Sequence, residues 1–312
     1  MARWSARIPV SVRWGALLAF ATALISGFSI YVNGFAVKQL PDAAVYTTLK
    51  NGVAAIILIA IAAMAVRPAQ LRAIPRRSWG GLAIVGIVGG SIPFILFFTG
   101  LAQASAPSAA FIQKTLFVWV AMAAIPFLGE RLGFAQLGAI AVLLVGQFLV
   151  MPPNGVQWGQ GETMIALATL FWAVEVVLAK RLLNGTVPSP VLAAARLGFG
   201  MVVLVGYLAV TGKLTGITAL NATQWAWALG TGAILSAYVA TWFAALRRAP
   251  ASLVTAILVV GAPVTATIQA FAGGMIPAPQ VLAGQVLIAI AAAALATYAV
   301  RSMGHRAAAP VA

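Results

Sequence analysis

Four ionisable side chains fall inside long apolar stretches of this sequence: Lys50, Lys114, Glu175 and Arg196. In hydrocarbon a charge costs roughly 2.5 to 3.5 kcal/mol on insertion scales, so each needs a partner, a water-filled cavity or a route to the interface. Glu175 and Arg196 lie at matched depth on consecutive apolar segments, about 10 to 12 Å in at about 1.5 Å per residue. They can pair, either to fix two helices together or to gate them. Lys50 and Lys114 sit at similar depth on the outer side, with no acid close in sequence. Lys50 can run its stem to the interface as a structural or gating charge, and Lys114 is the candidate to meet a substrate carboxylate.

Around these charges the sequence offers polar and aromatic companions. Thr22, Ser26, Ser29 and Asn33 recur at i, i+4, i+7 and i+11, which puts them on one face of a helix. This stripe either lines a cavity or lets helices approach closely through small residues. Trp172 shares a face with Glu175, and Tyr238 and Trp242 share a face four residues apart. A Trp or Tyr in such a position serves either packing or a binding wall. Trp119 points away from Lys114 and is set aside. The chemistry this set can perform is recognition. A cation for a carboxylate (Lys114), acceptor oxygens for an ammonium group (Ser26, Ser29, Asn33) and an aromatic wall (Trp172, Tyr238, Trp242) suit a small zwitterion.

Ten apolar runs must position these groups, at about 14–37, 43–66, 79–101, 106–127, 132–151, 160–183, 189–211, 223–246, 251–272 and 280–300. Each is close to the length that crosses a bilayer as a helix, and none alternates as a membrane strand would. Pro93 and Pro263 lie within the third and ninth runs and should kink them, freeing carbonyls toward a cavity or hinge. The first run follows arginines, as a signal peptide does, but is too long for a cleaved one.

Composition agrees with this layout. Of 312 residues 62% are hydrophobic and 7% charged, with a mean hydropathy of +1.03, which leaves no room for a separate soluble domain. The net charge of +15 would suggest nucleic acid in a soluble protein. Here fourteen of the cations fall in alternate connections, among them Arg67, Arg72, Arg76, Arg77, Arg247 and Arg248, while only Lys38 and Lys213 occupy the others. That asymmetry places both termini in the cytoplasm. An enzyme lacks an inventory: one histidine (His305), no cysteine and one aspartate (Asp42) give no catalytic or metal-binding motif.

The chain also repeats. A shift of 146 residues places Lys50 on Arg196, Gly52 on Gly198, Trp79 on Trp225, Gly86 on Gly232 and Phe97 on Phe243. The same shift carries Ser26 and Ser29 onto Trp172 and Glu175. With five runs per half, an odd number, the second copy is inverted relative to the first. Such repeats mark alternating-access carriers, with a site near the midplane. The expected fold class is all-α integral membrane, ten transmembrane helices as two inverted five-helix repeats (residues 1–151 and 152–312) around a central cavity.

Ala106-Pro107-Ser108 and Ala249-Pro250-Ala251-Ser252 open the fourth and ninth runs, and Phe127-Leu128-Gly129-Glu130-Arg131 closes the fourth. With the inverted halves, these elements resemble the EamA-type exporters of the drug/metabolite transporter superfamily, and among them the aromatic amino-acid exporters most. The second half departs from the pattern, having Ala272-Gly273-Gly274 in place of the Leu-Gly-Glu junction. The resemblance implies a multi-pass carrier of the bacterial inner membrane that moves metabolites outward without nucleotide hydrolysis.

The sequence is therefore expected to encode an exporter of small zwitterionic metabolites, amino acids including aromatic ones. It would need no cofactor or metal, bind no nucleic acid, and act in the lipid bilayer as a monomer or weak homodimer. The alternatives are efflux of drug-like cations, which the excess of buried positive charge disfavours, and a non-transporting scaffold or lipid-scrambling bundle. Tying Glu175 to Arg196 leaves no free carboxylate to carry a proton, so movement down the substrate gradient is expected. Topology offers the first test: a reporter fused to the C-terminus should be active only in its cytoplasmic form, and activity confined to the outer side would reverse the orientation.

Overall fold

A computed structural model of the chain describes residues 10–150, 158–218, 220–274 and 276–306. The predicted Pro152-Pro153-Asn154 connection and the cations Arg3 and Arg7 lie outside the described residues. Among the described residues fifteen helices follow one another: α1 Val10–Gln39, α2 Ala43–Ala65, α3 Pro68–Arg72, α4 Arg76–Gly90, α5 Ile92–Gln103, α6 Ala106–Lys114, α7 Leu116–Leu128 and α8 Phe134–Val150 in the first half. The second half has α9 Gln160–Asn184, α10 Ser189–Val210, α11 Thr215–Thr218, α12 Ala222–Arg248, α13 Ala251–Leu258, α14 Gly261–Ala272 and α15 Pro279–Arg306. Taking α4 with α5, α6 with α7 and α13 with α14, nine helices are long and apolar enough to cross a membrane among the described residues. The fifth run forms a shorter apolar helix, α8, of 17 residues.

Successive long helices run in opposite directions. At one end of the bundle Gly15 lies against Arg248, Gly81 against Leu182, Arg181 against the Phe127 carbonyl and Glu130 against Ala251. The arginine-bearing connections therefore share this end. At the other end Gln224 donates to the Gln39 carbonyl and Lys213 pairs with Asp42 at 2.7 Å. Asp42 also caps α2 through the N–H groups of Ala44 and Val45. Partial burial works to raise the Asp42 carboxyl, but Lys213 and these two N–H groups outweigh it and hold it below its ordinary value.

Packing follows the repeat. Helix α1 packs on α12 as α9 packs on α4 and α5, and α10 packs on α4 as α2 packs on α12. Pairs α2 with α10 and α8 with α15 join equivalent helices of the two halves. Individual contacts obey the same 146-residue shift. A Cβ on Gly86 would lie 2.5 Å from Phe199 Cβ, and one on Gly232 would lie 2.6 Å from Val53 Cβ. Positions 86 and 232 are repeat equivalents, and so are 53 and 199. Small residues let these backbones meet without a hydrophobic driving force in lipid, where dispersion and close approach must hold the helices.

Three of the spans are interrupted at mid-depth. Pro93 has no N–H, so the carbonyl of Gly89, four residues earlier, has no helical partner. The Phe94 N–H turns to Ser91 at 3.0 Å and leaves the Gly90 carbonyl open as well. Ser91 closes α4 by donating to the Ile87 carbonyl at 2.8 Å. Upstream of Pro263, the Ala262 N–H takes the Val259 carbonyl at 2.9 Å, which separates α13 from α14. The break between α6 and α7 at Thr115 has no proline, and the sequence reading, which expected one continuous helix there, missed it. Thr115 folds its hydroxyl onto the Ile112 carbonyl at 2.7 Å.

Glycine density sets a stability prediction. A Cβ on Gly90 would fall 1.9 Å from the Arg196 carbonyl oxygen, whereas one on Gly80 meets nothing within 4 Å. Gly90→Ala should lower stability in detergent by about 1 to 3 kcal/mol, and Gly80→Ala should leave it unchanged or slightly improved. Equal melting temperatures for the two variants would show that the α4–α10 crossing is loose.

Candidate functional site

The helices enclose a cavity at mid-depth, and the breaks decide what lines it. Trp172 on α9 donates its indole N–H to the Gly89 carbonyl at 3.1 Å, the group that Pro93 releases. Asn51 on α2 takes the Gly90 carbonyl at 3.3 Å. With these carbonyls satisfied, α5 presents Phe94, Phe97 and Phe98 to the interior, where Trp172 meets Phe94 and Phe97 at centroid distances of 5.4 and 5.3 Å. Tyr238 and Trp242 stack in parallel at 6.1 Å on the facing helix α12.

Of the residues singled out from sequence, Ser26, Ser29, Asn33, Lys50, Trp172, Glu175, Arg196, Tyr238 and Trp242 all contribute to the cavity wall. Gln113, Leu116, Ile30, Val176, Leu235 and the three phenylalanines complete it. The centre of a water-sized molecule has about 50 Å³ of freedom there, room for a few waters rather than a metabolite. A larger solute requires the wall to part.

Lys114 differs from the sequence expectation. It is buried behind the wall, its stem crossing Gly261 and its ammonium donating to Ser26 at 2.6 Å and Gln113 at 2.8 Å. Those bonds tie the end of α6 to α1, and Lys114 reaches the cavity only through them. Thr22 also leaves the cavity, since its hydroxyl bonds Thr241 of α12 at 2.9 Å. Trp119 is 42% exposed on the outer surface.

Lys50, not Lys114, is the lysine that the wall carries. Rather than running to the interface, it is 2% exposed, with its ammonium 3.5 Å from the Phe98 ring centroid and 5.1 Å from that of Phe94. The Arg196 guanidinium sits 5.3 Å from the same Phe94 ring and 5.8 Å from Phe243. Desolvated contacts of this kind contribute up to about 2 kcal/mol each. Arg196 also pairs with Glu175, at 3.4 Å from Nε to Oε1 and 3.5 Å from Nη2 to Oε2. These are long contacts, and Glu175 Oε1 lacks a well-aligned donor. Glu175 reaches this position because Gly89 has no side chain, since a Cβ there would lie 2.1 Å from Glu175 Cγ.

The acceptors foreseen for an ammonium group are already engaged. Tyr46, which the sequence reading did not single out, donates to Asn33 Oδ1; Asn33 donates to Ser29 Oγ at 2.9 Å; and Ser26 Oγ accepts from Lys114. Among the described residues neither serine hydroxyl donates to a protein group, so both can donate to a ligand. No group of three or more metal-binding side chains occurs among the described residues.

Two five-helix halves, inverted and enclosing a charged aromatic cavity, define a repeat-built membrane transporter. The chain belongs to the EamA-like transporter family, whose model matches residues 13–151 and 159–300. No curated protein matches it. Among 29 solved chains that are similar, one crystal structure, its protein not named, aligns with 92% of this chain and 97% of its own at a TM-score of 0.73. Its sequence identity is 18%, so that likeness concerns the fold.

The Leu128-Gly129-Glu130 junction has a visible job. Gly129 ends α7 at φ +67°, a left-handed conformation that glycine adopts without cost. Glu130 then accepts from the N–H groups of Ala251 and Ser252 at 2.7 and 3.1 Å, capping α13, whose own N-cap residue is a proline. The first half needs no such loan, because Ser105 caps α6 through the Ser108 N–H at 3.1 Å.

The charge pair yields an unequal pair of predictions. Removing one partner of a buried pair costs about 3 to 5 kcal/mol, but Arg196 keeps two aromatic rings when Glu175 is lost, while Glu175 keeps nothing when Arg196 is lost. Arg196→Gln should therefore lower folded yield more than Glu175→Gln, and the double variant should be milder than the two losses added. Additive losses would mean that the groups are uncoupled.

Proposed function

We propose that this transporter exports small zwitterionic metabolites, amino acids including aromatic ones, across the bacterial inner membrane by alternating access, with both termini cytoplasmic. The observation that carries the reading is the unequal treatment of two equivalent cations. Arg196 pairs with Glu175, but the repeat equivalent of Glu175 is Ser29, so at the position matching the carboxylate that Arg196 meets the wall beside Lys50 carries only a serine. The wall holds two cations against one acid, a balance that an incoming carboxylate completes and an incoming cation worsens.

In this reading Lys50 takes the role assigned to Lys114 from sequence. A substrate carboxylate binds Lys50 with help from the Ser29 hydroxyl, and its ammonium group binds the underused Oε1 of Glu175. Its side chain lies among Phe94, Trp172, Tyr238 and Trp242. Lys114 positions Ser26 and Gln113 from behind. Since the aromatic wall already satisfies itself, binding a ring exchanges one set of stacking contacts for another while the cavity widens. Transport runs down the substrate gradient, because Glu175 is the single carboxylate of the wall and is engaged by Arg196.

The test is flux into proteoliposomes containing only this protein. Lys50→Gln should cut amino-acid transport at least tenfold and transport of a carboxylate-free amine analogue far less, while Ser29→Asp, which supplies Lys50 with its own acid, should do the same. Equal losses for both substrates would remove the carboxylate role. An imposed pH gradient should leave the amino-acid distribution at equilibrium, and accumulation abolished by an uncoupler would instead assign a proton to Glu175. Preferential transport of carboxylate-free cations by the unaltered protein would favour the drug-efflux reading.

A further inference from the structure

A second concavity lies on the lipid-facing side of the α2–α10 crossing, away from the central cavity. Its floor is apolar: Ile59, Ala62, Val191, Ala195, Gly198 and Val202, with Leu71 and Trp79 at the arginine-rich end. From Val191 to Val202 the groove follows α10 for about 16 Å at 1.5 Å per residue, close to the hydrocarbon depth of one leaflet, about 15 Å. It exists because the repeat is imperfect here. Met201 covers Gly52, its Cε 3.3 Å from an added Cβ, whereas the equivalent of Met201 is Ala55, too short to cover Gly198. A Cβ on Gly198 meets only Ile59, at 3.9 Å.

A polar hollow lies next to the groove along the same segments. Gln70 and Ala73 flank Leu71 along the same short segment, and Ser189 and Pro190 precede Val191. Together with Thr186, Arg247 and Arg248 they line a pocket at the arginine-rich end. Arg247 uses one nitrogen on the Val187 carbonyl at 2.7 Å, and Arg248 uses one on Ala244 at 2.8 Å. Each guanidinium keeps further donors. Among the described residues no acidic side chain lines either pocket.

We propose that this composite surface is a site for an anionic phospholipid of the leaflet at the arginine-rich end. One acyl chain lies in the α2–α10 groove, and the headgroup phosphate lies on Arg247 and Arg248. A chain-length apolar groove ending in a pair of arginines matches both parts of a lipid and only half of any soluble anion. Because the groove floor is the crossing that brings Lys50 and Arg196 together, an occupied site would hold α2 and α10 in register. This inference does not depend on the substrate assigned to the central cavity.

The experiment uses the full chain in detergent, with phosphatidylglycerol, phosphatidylcholine or inorganic phosphate as probes, and reads lipid retained in native mass spectra and melting temperature. Phosphatidylglycerol should be retained and should raise the melting temperature, while phosphatidylcholine and millimolar phosphate should not. Arg248→Gln, which disturbs only a bond within its own helix, should reduce retention about fivefold. Gly198→Leu should fill the groove and reduce retention while the protein stays monodisperse and its melting temperature without lipid is unchanged. Equal retention of the two lipids, a matching shift with phosphate, or full retention by Gly198→Leu would each overturn the proposal. Should Gly198→Leu fail to fold, Arg248→Gln and the lipid comparison still decide.

Discussion

Inside a bilayer the protein itself must satisfy every polar group it exposes by breaking a helix, and the centre of this transporter is organised by that demand. Pro93 removes one N–H and the chain answers with two side chains from other helices, Trp172 on the Gly89 carbonyl and Asn51 on the Gly90 carbonyl. Those bonds fix where α2 and α9 stand relative to the α4–α5 break. They thereby bring Lys50, Glu175 and the phenylalanines of α5 to one cavity, so that a local defect in one helix sets the geometry of the site.

The glycines at the same depth act with the breaks. Gly89 admits the Glu175 side chain, Gly90 admits the backbone of Arg196, and Gly27 admits that of Gly261 beside Lys114. Each close approach brings a charged residue near the bundle axis without a long reach. Charge burial of this kind costs several kcal/mol per ion, and the cavity spreads the cost over aromatic faces, hydroxyls and one loose ion pair. The looseness leaves Oε1 without a well-aligned donor, and the proposed reading gives this unused acceptor to the substrate ammonium group.

Where the halves differ, function concentrates. Serine at position 29 against glutamate at 175 leaves Lys50 without an acid, and alanine at 55 against methionine at 201 leaves a groove open to lipid. Glu130, which the second half lacks at its own junction, crosses to cap α13 from the first. A duplicated fold supplies a symmetric frame in which such single-residue differences leave an unpaired cation, an open groove and an interhelical clasp.

By itself the sequence determined the all-α membrane architecture, the ten apolar runs and the inverted halves, and it named nine of the residues that line the cavity, because hydropathy, charge asymmetry and a repeat offset near 146 are one-dimensional signals. It also marked Pro93 as a source of free carbonyls. Tertiary structure alone decided which cation faces the cavity. Lys50 and Lys114 are indistinguishable by depth, and only the positions of Ser26 and Gln113 draw Lys114 away, while Phe98 holds Lys50 inward. The same holds for Gln113 and the phenylalanines of α5, which flank helix breaks, and for Tyr46, ordinary in its run until it meets Asn33. The break at Thr115 carried no proline to announce it. Such features depend on the packing of neighbours distant in sequence, and pairing across helices leaves no periodicity along the chain for a reader to follow.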